Sequence, residues 1–456
     1  MDVTNESTLV ILGATGDLTS RLLLPALAQL LERQQDLRIR LVGVGREDWD
    51  ESTWVTLVRR TFEENAGAGC LRSLTSIEYR QADITASSDM SSLLGELTGS
   101  IALYFAVPPA VAAASCEALR SVELPPGIML ALEKPFGTNA ASAEGLNELV
   151  ATLVPENQIF RVDHFLGRST LLNLLGVRFT NRVFEPLWNA EHISHVTISY
   201  DEQLGLESRA GYYDHAGALV DMIQSHLLQV LAFVAMEPPA TLNERDLRDA
   251  TGATLRATRV WRDDPSSFTH RARYTAGSVD GRELPSYVDE DGVDPANQTE
   301  TLAQATFGVD NARWEGVPFT LRSGKAMSHP RREVVVHFKP VRHVPDGFTG
   351  KAEGAVLRFN LNPDQMSLEI NVNGGEDPFA LHRAALDADL AGGNAKAYAE
   401  VLSELLQGDP ALSVRGDAAV QCWRIIEPIQ KAWKDGIVPL QEYPAGVTDT
   451  VTWPAH

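Results

Sequence analysis

The chain has 456 residues, of which 44% are hydrophobic, so it exceeds what one hydrophobic core usually holds and is expected to form two globular domains. Its formal net charge of −22 argues against nucleic acid or an anionic membrane as a partner, because both call for clustered Lys and Arg. Three widely separated cysteines without CxxC spacing indicate neither a disulfide framework nor a zinc site, and an acidic N-terminus with no apolar run approaching about 20 residues predicts a cytoplasmic protein.

The first third of the chain alternates apolar runs with helical patterns. Continuous apolar runs of this kind are typical of strands that are buried on both faces of a parallel sheet. The predicted strands are 8–12, 38–44, 101–107 and 128–132, and a helix is predicted over 20–34. This order predicts a doubly wound α/β domain of the Rossmann type.

From about residue 159 the rhythm changes to strands with few intervening helices. A strongly apolar helix is predicted over 217–236, and the polar stretch 288–300 is predicted to be an exposed loop. The predicted strands are 195–200, 333–338, 355–360 and 366–372. This pattern predicts an α+β domain with a large, mostly antiparallel sheet, so we expect a dinucleotide-binding domain over 1–162 and a substrate and dimerisation domain over 163–456.

The turn Gly13-Ala14-Thr15-Gly16-Asp17 follows the first predicted strand and opens a helix, where free N–H groups and the positive helix end favour a pyrophosphate. The first glycine of GxGxxG is missing, because Ile11 occupies that position. Many strand-to-helix turns hold two glycines for steric reasons alone, so this motif by itself leaves both interpretations open.

The second predicted strand ends at Arg46, where an NAD enzyme places Asp or Glu to hold the ribose hydroxyls. An arginine there accommodates a 2′-phosphate, so NADP is preferred over NAD. The neighbouring carboxylate of Glu47 offsets part of that attraction, which leaves use of both nicotinamides open. The alternative interpretation of Arg46 is a solvated surface arginine.

Two motifs end apolar runs with charged residues. Lys134, in Glu133-Lys134-Pro135, stands at the carboxyl end of a predicted strand, where open α/β sheets bind ligands. A lone Glu-Lys would be interpreted as an ion pair, but a charged pair ending an apolar run is costly without a purpose, so Lys134 is expected to donate to a sugar hydroxyl. The stretch 161–168 (Arg-Val-Asp-His-Phe-Leu-Gly-Arg) places an acid, an imidazole and two guanidiniums together, which suggests an anion site.

Hydride transfer from an alcohol to a nicotinamide needs a base for the hydroxyl proton, and His226 on the predicted apolar helix is the candidate. Asp221 lies five residues earlier, about 140° around an α-helix, so Asp163 is preferred as the carboxylate that orients the imidazole. A single histidine in such a helix is more often a core residue. Only its combination with the other motifs favours catalysis.

Taken in order, these motifs resemble the glucose-6-phosphate dehydrogenase family. The resemblance covers nearly the whole chain, through the segments 13–25, 104–109, 173–189, 209–229 and 313–325. It implies oxidation of glucose 6-phosphate to the 6-phosphogluconolactone with hydride transfer to NADP, the first step of the oxidative pentose phosphate pathway. It also implies a homodimer or homotetramer.

The resemblance assigns roles residue by residue. It implies His226 as the general base, Asp163 as its partner and Lys134 on the sugar beside the reacting carbon. The implied cofactor contacts are Gly13, Thr15, Gly16, Asp17, Leu18, Arg46, Pro108 and Lys134. The implied substrate contacts, besides Lys134 and His226, are Glu202, Asp221 and Lys325 on the sugar or phosphate arm and His164 and Arg168 on the phosphate.

The departures from the family pattern cluster on phosphate recognition. Phe165 replaces the usual tyrosine, Arg168 replaces a lysine, and Pro330 replaces a basic residue, with Arg331 one position later as a possible substitute. The C-terminal stretch 443–450 also departs from the family ending, which puts its contacts in doubt.

Two alternatives stay open. The Glu-Lys-Pro motif also resembles oxidoreductases of the glucose-fructose oxidoreductase type, which take unphosphorylated sugars. A regulatory paralogue without turnover is the other alternative, against which the presence of His226 and Asp163 argues.

Overall fold

A computed structural model describes residues 6–207, 210–375, 377–390, 397–448 and 453. These residues form two compact units. The first takes in the chain as far as Gly167, Pro239–Gly252 and residues 397–420, and the second takes in the described parts of 168–238, 253–390 and the chain from Gln421 onward. The sequence analysis predicts one domain boundary, between residues 162 and 163. The first unit also contains two later stretches of the chain, which a single boundary cannot assign to it.

The first unit contains a parallel sheet. Its strands are β1 Glu6–Leu12, β2 Arg38–Gly45, β3 Leu74–Gln81, β4 Ser100–Phe105, β5 Met129–Glu133 and β6 Ile159–Val162. They lie in the order β3-β2-β1-β4-β5-β6 with every pairing parallel. Leu9 and Ile11 of β1 pack into one apolar cluster and Val10 and Leu12 into another, so the strand is buried on both faces. The predicted Rossmann-type domain is confirmed.

Helices cover both faces of this sheet. They are α1 Leu24–Arg33, α2 Glu51–Ala66, α3 Ser87–Gly95, α4 Pro109–Leu119 and α5 Ala140–Ala151, with a π-helical turn at Thr19–Leu23 and 3-10 turns at Ala68–Ser73 and Glu156–Gln158. Capping residues mark the starts of α2 and α5: Asp50 accepts a hydrogen bond from Thr53 N at 2.8 Å, and Asn139 forms a capping box with Ser142.

The second unit is built on a large mixed sheet. Its strands and those of a small hairpin are β7 Ile193–Asp201, β8 Thr258–Val260, β9 Thr269–Thr275, β10 Gly277–Val279, β11 Arg282–Leu284, β12 Leu302–Val309, β13 Phe319–Gly324, β14 Arg331–Phe338, β15 Val356–Leu361, β16 Asp364–Asn373, β17 Leu381–Asp389 and β18 Leu440–Pro444. The order is β17-β16-β15-β14-β7-β13-β12-β9-β18, with β8 beside β12 and the hairpin formed by β10 and β11. Only the β7–β13 and β9–β18 pairs are parallel among the described strands of this sheet, so the mostly antiparallel prediction is confirmed.

The remaining helices follow from residue 169 onward. They are α6 Ser169–Thr180, α7 Ala210–Ala218, α8 Leu228–Ala235, α9 Glu244–Ala257, α10 Pro265–Phe268, α11 Ala397–Gln407 and α12 Gly416–Lys434. Leu219–Leu227 is π-helical, and short 3-10 turns lie at Glu185–Leu187, Trp261–Asp263, Tyr287–Asp289 and Pro295–Asn297. In the first unit, Leu402 and Leu405 of α11 join the apolar cluster that also holds α1.

One helical stretch, Ala210–Ala235, is long and apolar enough to cross a bilayer by length and composition, with a mean hydropathy of 1.5 over its most apolar 18 residues. The expectation that no run approaches that length is therefore wrong. However, 94% of that window is buried inside the second unit, which is the environment of a core helix. The stretch is apolar because it packs beneath the large sheet.

Candidate active site

The glycine turn after β1 lies between the carboxyl ends of β2 and β4. The backbone N–H groups of Gly13 and Ala14 donate to the Val44 carbonyl at 2.8 and 2.9 Å. Gly13 has a φ of +91°, and a Cβ there would collide with the Ala106 carbonyl, so glycine is required. The helix that begins at Asp17 therefore has its N-terminus at the carboxyl edge of the parallel sheet, where its free N–H groups can hold a pyrophosphate.

Arg46 is exposed directly after β2, where the ribose of a dinucleotide is expected. Beside it, the Thr15 hydroxyl donates to Glu47 Oε2 at 2.8 Å, and this hydrogen bond lowers the pKa of the Glu47 carboxyl. Glu47 is therefore ionised at neutral pH. Its charge offsets part of the attraction that Arg46 offers to a 2′-phosphate.

Lys134 follows β5 at the same edge as the glycine turn, because all six strands run parallel. Pro108, after β4, lies at this edge as well. The preceding carboxyl, Glu133, accepts a hydrogen bond from the Tyr104 hydroxyl at 2.5 Å and another from Tyr398. Burial raises the pKa of Glu133, while these hydrogen bonds and the charge of Lys134 lower it. Two tyrosines thus position the carboxyl beside Lys134.

Asp163 and His164 form the turn that follows β6. Asp163 is 1% exposed, and its Oδ1 accepts from Phe165 N at 3.0 Å, which fixes the carboxylate. The His164 ring stacks on Tyr398, with centroids 5.5 Å apart and an interplanar angle of 16°. The first unit therefore brings Lys134, Asp163 and His164 to the edge that holds the glycine turn.

His226 and Asp221 lie on the π-helical segment Leu219–Leu227 between α7 and α8. Both are buried, with 1% and 7% of their surface exposed. Hydrogen bonds in a π-helix join residues five apart, so these two side chains lie near one face of the helix. The predicted separation of about 140° assumed an α-helix and is wrong for this segment.

A buried carboxyl, Glu300, supports the start of that segment. Its Oε1 accepts from Leu219 N at 2.9 Å, and its backbone carbonyl accepts from Ala218 N at 3.1 Å. Gly217, with a φ of +63°, makes room for it, because a Cβ there would collide with the carboxyl. Most of the polar stretch 288–300 is exposed or half-buried as predicted, but Thr299 and Glu300 are buried, so the prediction is wrong at its end.

Glu202 and Lys325 meet at the ends of the parallel strands β7 and β13. Lys325 Nζ lies 3.0 Å from Glu202 Oε2 and 5.0 Å from the centroid of the Tyr213 ring. The Tyr443 hydroxyl donates to the Lys325 carbonyl at 2.7 Å. The divergent C-terminal stretch thus supports the lysine through Tyr443, while residues 449 and 450 of it lie outside the described residues.

Arg168 and Arg331 occupy different places in the second unit. Arg168 donates to the Leu361 carbonyl and to the Tyr200 hydroxyl, both at 3.3 Å. Arg331 is opposite Asp201 across the β7–β14 pair. Burial raises the pKa of the Asp201 carboxyl, although its ion pair with Arg322 at 3.1 Å and, less strongly, the charge of Arg331 lower it. Neighbouring residues of a strand face opposite sides of a sheet, so Tyr200 and Asp201 separate the two arginines.

Comparison with known proteins decides the family. Residues 10–173 match the NAD binding domain of glucose-6-phosphate dehydrogenase, and residues 175–453 match its C-terminal domain. The chain belongs to the glucose-6-phosphate dehydrogenase family. It is 39% identical to a glucose-6-phosphate 1-dehydrogenase of Gluconobacter oxydans (strain 621H), over 96% of this chain and 93% of that protein.

Solved structures of the glucose-6-phosphate dehydrogenase family share the whole fold. A glucose-6-phosphate 1-dehydrogenase from Mycobacterium avium superposes with a TM-score of 0.83 at 31% identity, covering 97% of this chain and 94% of the other. A glucose-6-phosphate dehydrogenase in complex with its substrate glucose-6-phosphate superposes with a TM-score of 0.85 at 26% identity, covering 97% and 95%. The resemblance seen in the sequence is confirmed.

Several residues of the site escaped sequence-based prediction. Tyr104, Tyr398 and Glu300 support site residues from distant positions, and no local pattern marks them. On β14, Arg332 is opposite Tyr200 and Arg331 is opposite Asp201, and the alternation of strand residues, which can be seen in the sequence, places these two pairs on different sides of the sheet.

Proposed function

We propose that this protein oxidises the C1 hydroxyl of glucose 6-phosphate to the 6-phosphogluconolactone, with NADP as the hydride acceptor. The observation that carries the proposal is the similarity, over 96% of the chain, to a curated protein named glucose-6-phosphate 1-dehydrogenase. The paired Glu202 and Lys325 support it, because an ammonium–carboxylate pair offers both a donor and an acceptor for sugar hydroxyls.

NADP fits the edge of the parallel sheet. The turn at Gly13 leaves space that a Cβ would fill, and exposed Arg46 can pair with a 2′-phosphate. The remaining contacts proposed from the family are Thr15, Gly16, Asp17, Leu18, Pro108 and Lys134. When bound, the nicotinamide accepts a hydride. Because the Glu47 carboxylate offsets part of the charge of Arg46, we propose that NAD is also used, more weakly.

The proton chemistry belongs to the protein. In this proposal His226 takes the C1 hydroxyl proton on its imidazole as the hydride leaves C1, and Asp163 stabilises the imidazolium that results. Lys134 donates to the sugar near C1. Glu202, Asp221 and Lys325 orient the ring, while His164 and Arg168 meet the phosphate.

A substrate panel tests the proposal. Purified protein is mixed with glucose 6-phosphate or glucose, each with NADP or NAD, and reduced nicotinamide is followed by its absorbance. We expect the highest kcat/KM with glucose 6-phosphate and NADP. Preference for unphosphorylated glucose would place the protein with oxidoreductases of free sugars, and no turnover on any hexose phosphate would favour a regulatory role.

We further propose a homodimer formed through the outer strands of the large sheet. Strand β17 is mostly exposed, Leu386 on it is 56% exposed, and Phe379, two residues before the strand, is 58% exposed. A contiguous exposed apolar patch is typical of an interface. Light scattering should give twice the chain mass of 49.8 kDa, and Leu386→Glu should give a monomer. An unchanged mass for that variant would place the interface elsewhere.

The compartment proposed is the cytoplasm. The three cysteines, Cys70, Cys116 and Cys422, are buried free thiols, which suits a reducing environment. Activity in the soluble cytosolic fraction of the source cells, with none in a membrane or exported fraction, is the expected result.

A further inference from the structure

Two adjacent arginines at the start of β14 lie on opposite faces of the large sheet. Arg331 is opposite Asp201 of β7, and Arg332 is opposite Tyr200. Residues directly opposite each other in an antiparallel pair share a face, and successive residues alternate. The side chain of Arg332 therefore accompanies Tyr200, while that of Arg331 accompanies Asp201.

The face that holds Tyr200 is the one covered by the core helix. Phe319 is paired in register with Val196, which shares a face with Tyr200. The Phe319 ring packs edge-on against Trp314, at 5.2 Å between centroids, and Trp314 Nε1 donates to the Ala235 carbonyl at the end of α8. Helix α8 continues the π-helical segment. Tyr200 and Arg332 thus lie on the side of the sheet where the proposed base is carried.

Two guanidiniums lie near the Tyr200 ring. Arg332 Cζ is 5.1 Å and Arg168 Cζ is 5.8 Å from its centroid, and Tyr200 is only 6% exposed. The Nε of Arg332 is buried and has no hydrogen-bond partner among the described residues. A buried donor without an acceptor is costly, so this atom indicates a group that binds here.

A phosphate group fits this arrangement best. Guanidiniums bind phosphate oxygens through planar, charge-assisted hydrogen bonds. The Tyr200 hydroxyl accepts from Arg168, and a tyrosine hydroxyl is of the donor type that binds a phosphate oxygen. The chain lacks a hydroxyl at Phe165 and a charge at Pro330, where the family pattern has both. Tyr200 and Arg332 carry these same two groups.

We propose that Arg332 and Tyr200, together with Arg168, bind the phosphate of the sugar substrate and replace the groups missing at residues 165 and 330. This inference rests on the proposed function. It assigns phosphate binding to Arg332, whereas the position of Arg331 next to Pro330 in the sequence suggested Arg331 for that role. Arg332 and Tyr200 then determine the preference for a phosphorylated sugar over a free one.

The test compares Arg332→Ala, Tyr200→Phe and Arg331→Ala, with Arg342→Ala as the control. Arg342 is a surface arginine, 91% exposed and paired with Glu191. We expect Arg332→Ala to raise the KM for glucose 6-phosphate roughly tenfold or more, and Tyr200→Phe roughly threefold to tenfold, at nearly constant kcat and KM for NADP. The control should stay within about twofold of wild type.

The same variants are assayed with unphosphorylated glucose, on which Arg332→Ala should have no effect. An unchanged KM for glucose 6-phosphate, an equal loss on both sugars, or a larger effect of Arg331→Ala than of Arg332→Ala would overturn the proposal. If Arg332→Ala does not fold, as judged by its thermal midpoint, Arg332→Gln takes its place.

Failure of the proposed function is distinguishable from failure of this site. If wild type does not oxidise glucose 6-phosphate, inorganic phosphate is titrated by calorimetry into wild type and into Arg332→Ala. Binding to wild type that is weakened roughly tenfold in the variant supports the phosphate site independently of turnover. Absence of binding to wild type, or equal binding to both, overturns it.

Discussion

Replacing Glu300 with glutamine tests how a buried carboxyl supports the helix that carries the proposed base. Glutamine has nearly the shape of glutamate, and its carbonyl can still accept from Leu219 N, where Glu300 Oε1 accepts at 2.9 Å. The groups that face the carboxyl are Arg271, Tyr213 and Tyr287. The substitution therefore removes the charge and keeps the contact.

The magnitude follows from burial. Loss of solvation raises the pKa of the Glu300 carboxyl from 4.5 to about 7, although Leu219 N–H and Arg271 lower it. One pKa unit corresponds to about 1.4 kcal/mol, so ionisation costs the folded state roughly 3 kcal/mol. The unfolded chain ionises near 4.5 and the folded chain near 7. The contribution to stability is thus complete below about 4.5 and lost as pH rises to about 7.

Chemical denaturation at about pH 4.5 and about pH 8 measures this difference. We expect Glu300→Gln to match wild type at the lower pH and to exceed it by up to roughly 3 kcal/mol at the higher pH. Glu300→Ala is the control, because it removes the acceptor for Leu219 N–H and should destabilise the protein at both pH values. An equal difference between Glu300→Gln and wild type at the two pH values would refute a titrating Glu300.

Three further predictions concern activity. His226→Asn should lower turnover about a hundredfold or more while the Kd for NADP is unchanged, and near-normal turnover would remove His226 from the mechanism. Arg168→Ala should raise the KM for glucose 6-phosphate roughly tenfold to hundredfold, while the KM for NADP stays unchanged. Equal effects on the two KM values would argue against a phosphate contact. Arg46→Ala should raise the KM for NADP roughly tenfold with little change for NAD, and a parallel rise in both would contradict contact with the 2′-phosphate.

The sequence predicts the parallel sheet and the mostly antiparallel sheet, because both follow from apolar periodicity. A strand end indicates Lys134, whereas the roles expected of Glu202 and Lys325 follow from the family resemblance alone. The sequence predicts local geometry less well. The π-helical form of Leu219–Leu227 has no signature in its apolar pattern, and the first N–H of the segment donates to a carboxyl some eighty residues away. The burial of Glu300 escaped prediction for the same reason, since its partners are distant in sequence.

The start of β14 shows why counting positions from a family motif is a weak guide to which residue of a strand faces a site. A step of one residue along a strand moves a side chain to the other face of the sheet, so Arg331 and Arg332 are neighbours in sequence but face different surroundings. Arg331 is opposite Asp201, whereas the guanidinium of Arg332 lies 5.1 Å from the centroid of the Tyr200 ring, and its buried Nε has no hydrogen-bond partner among the described residues. Arg332, two residues after Pro330, therefore compensates for the missing basic group more directly than Arg331, the next residue, does.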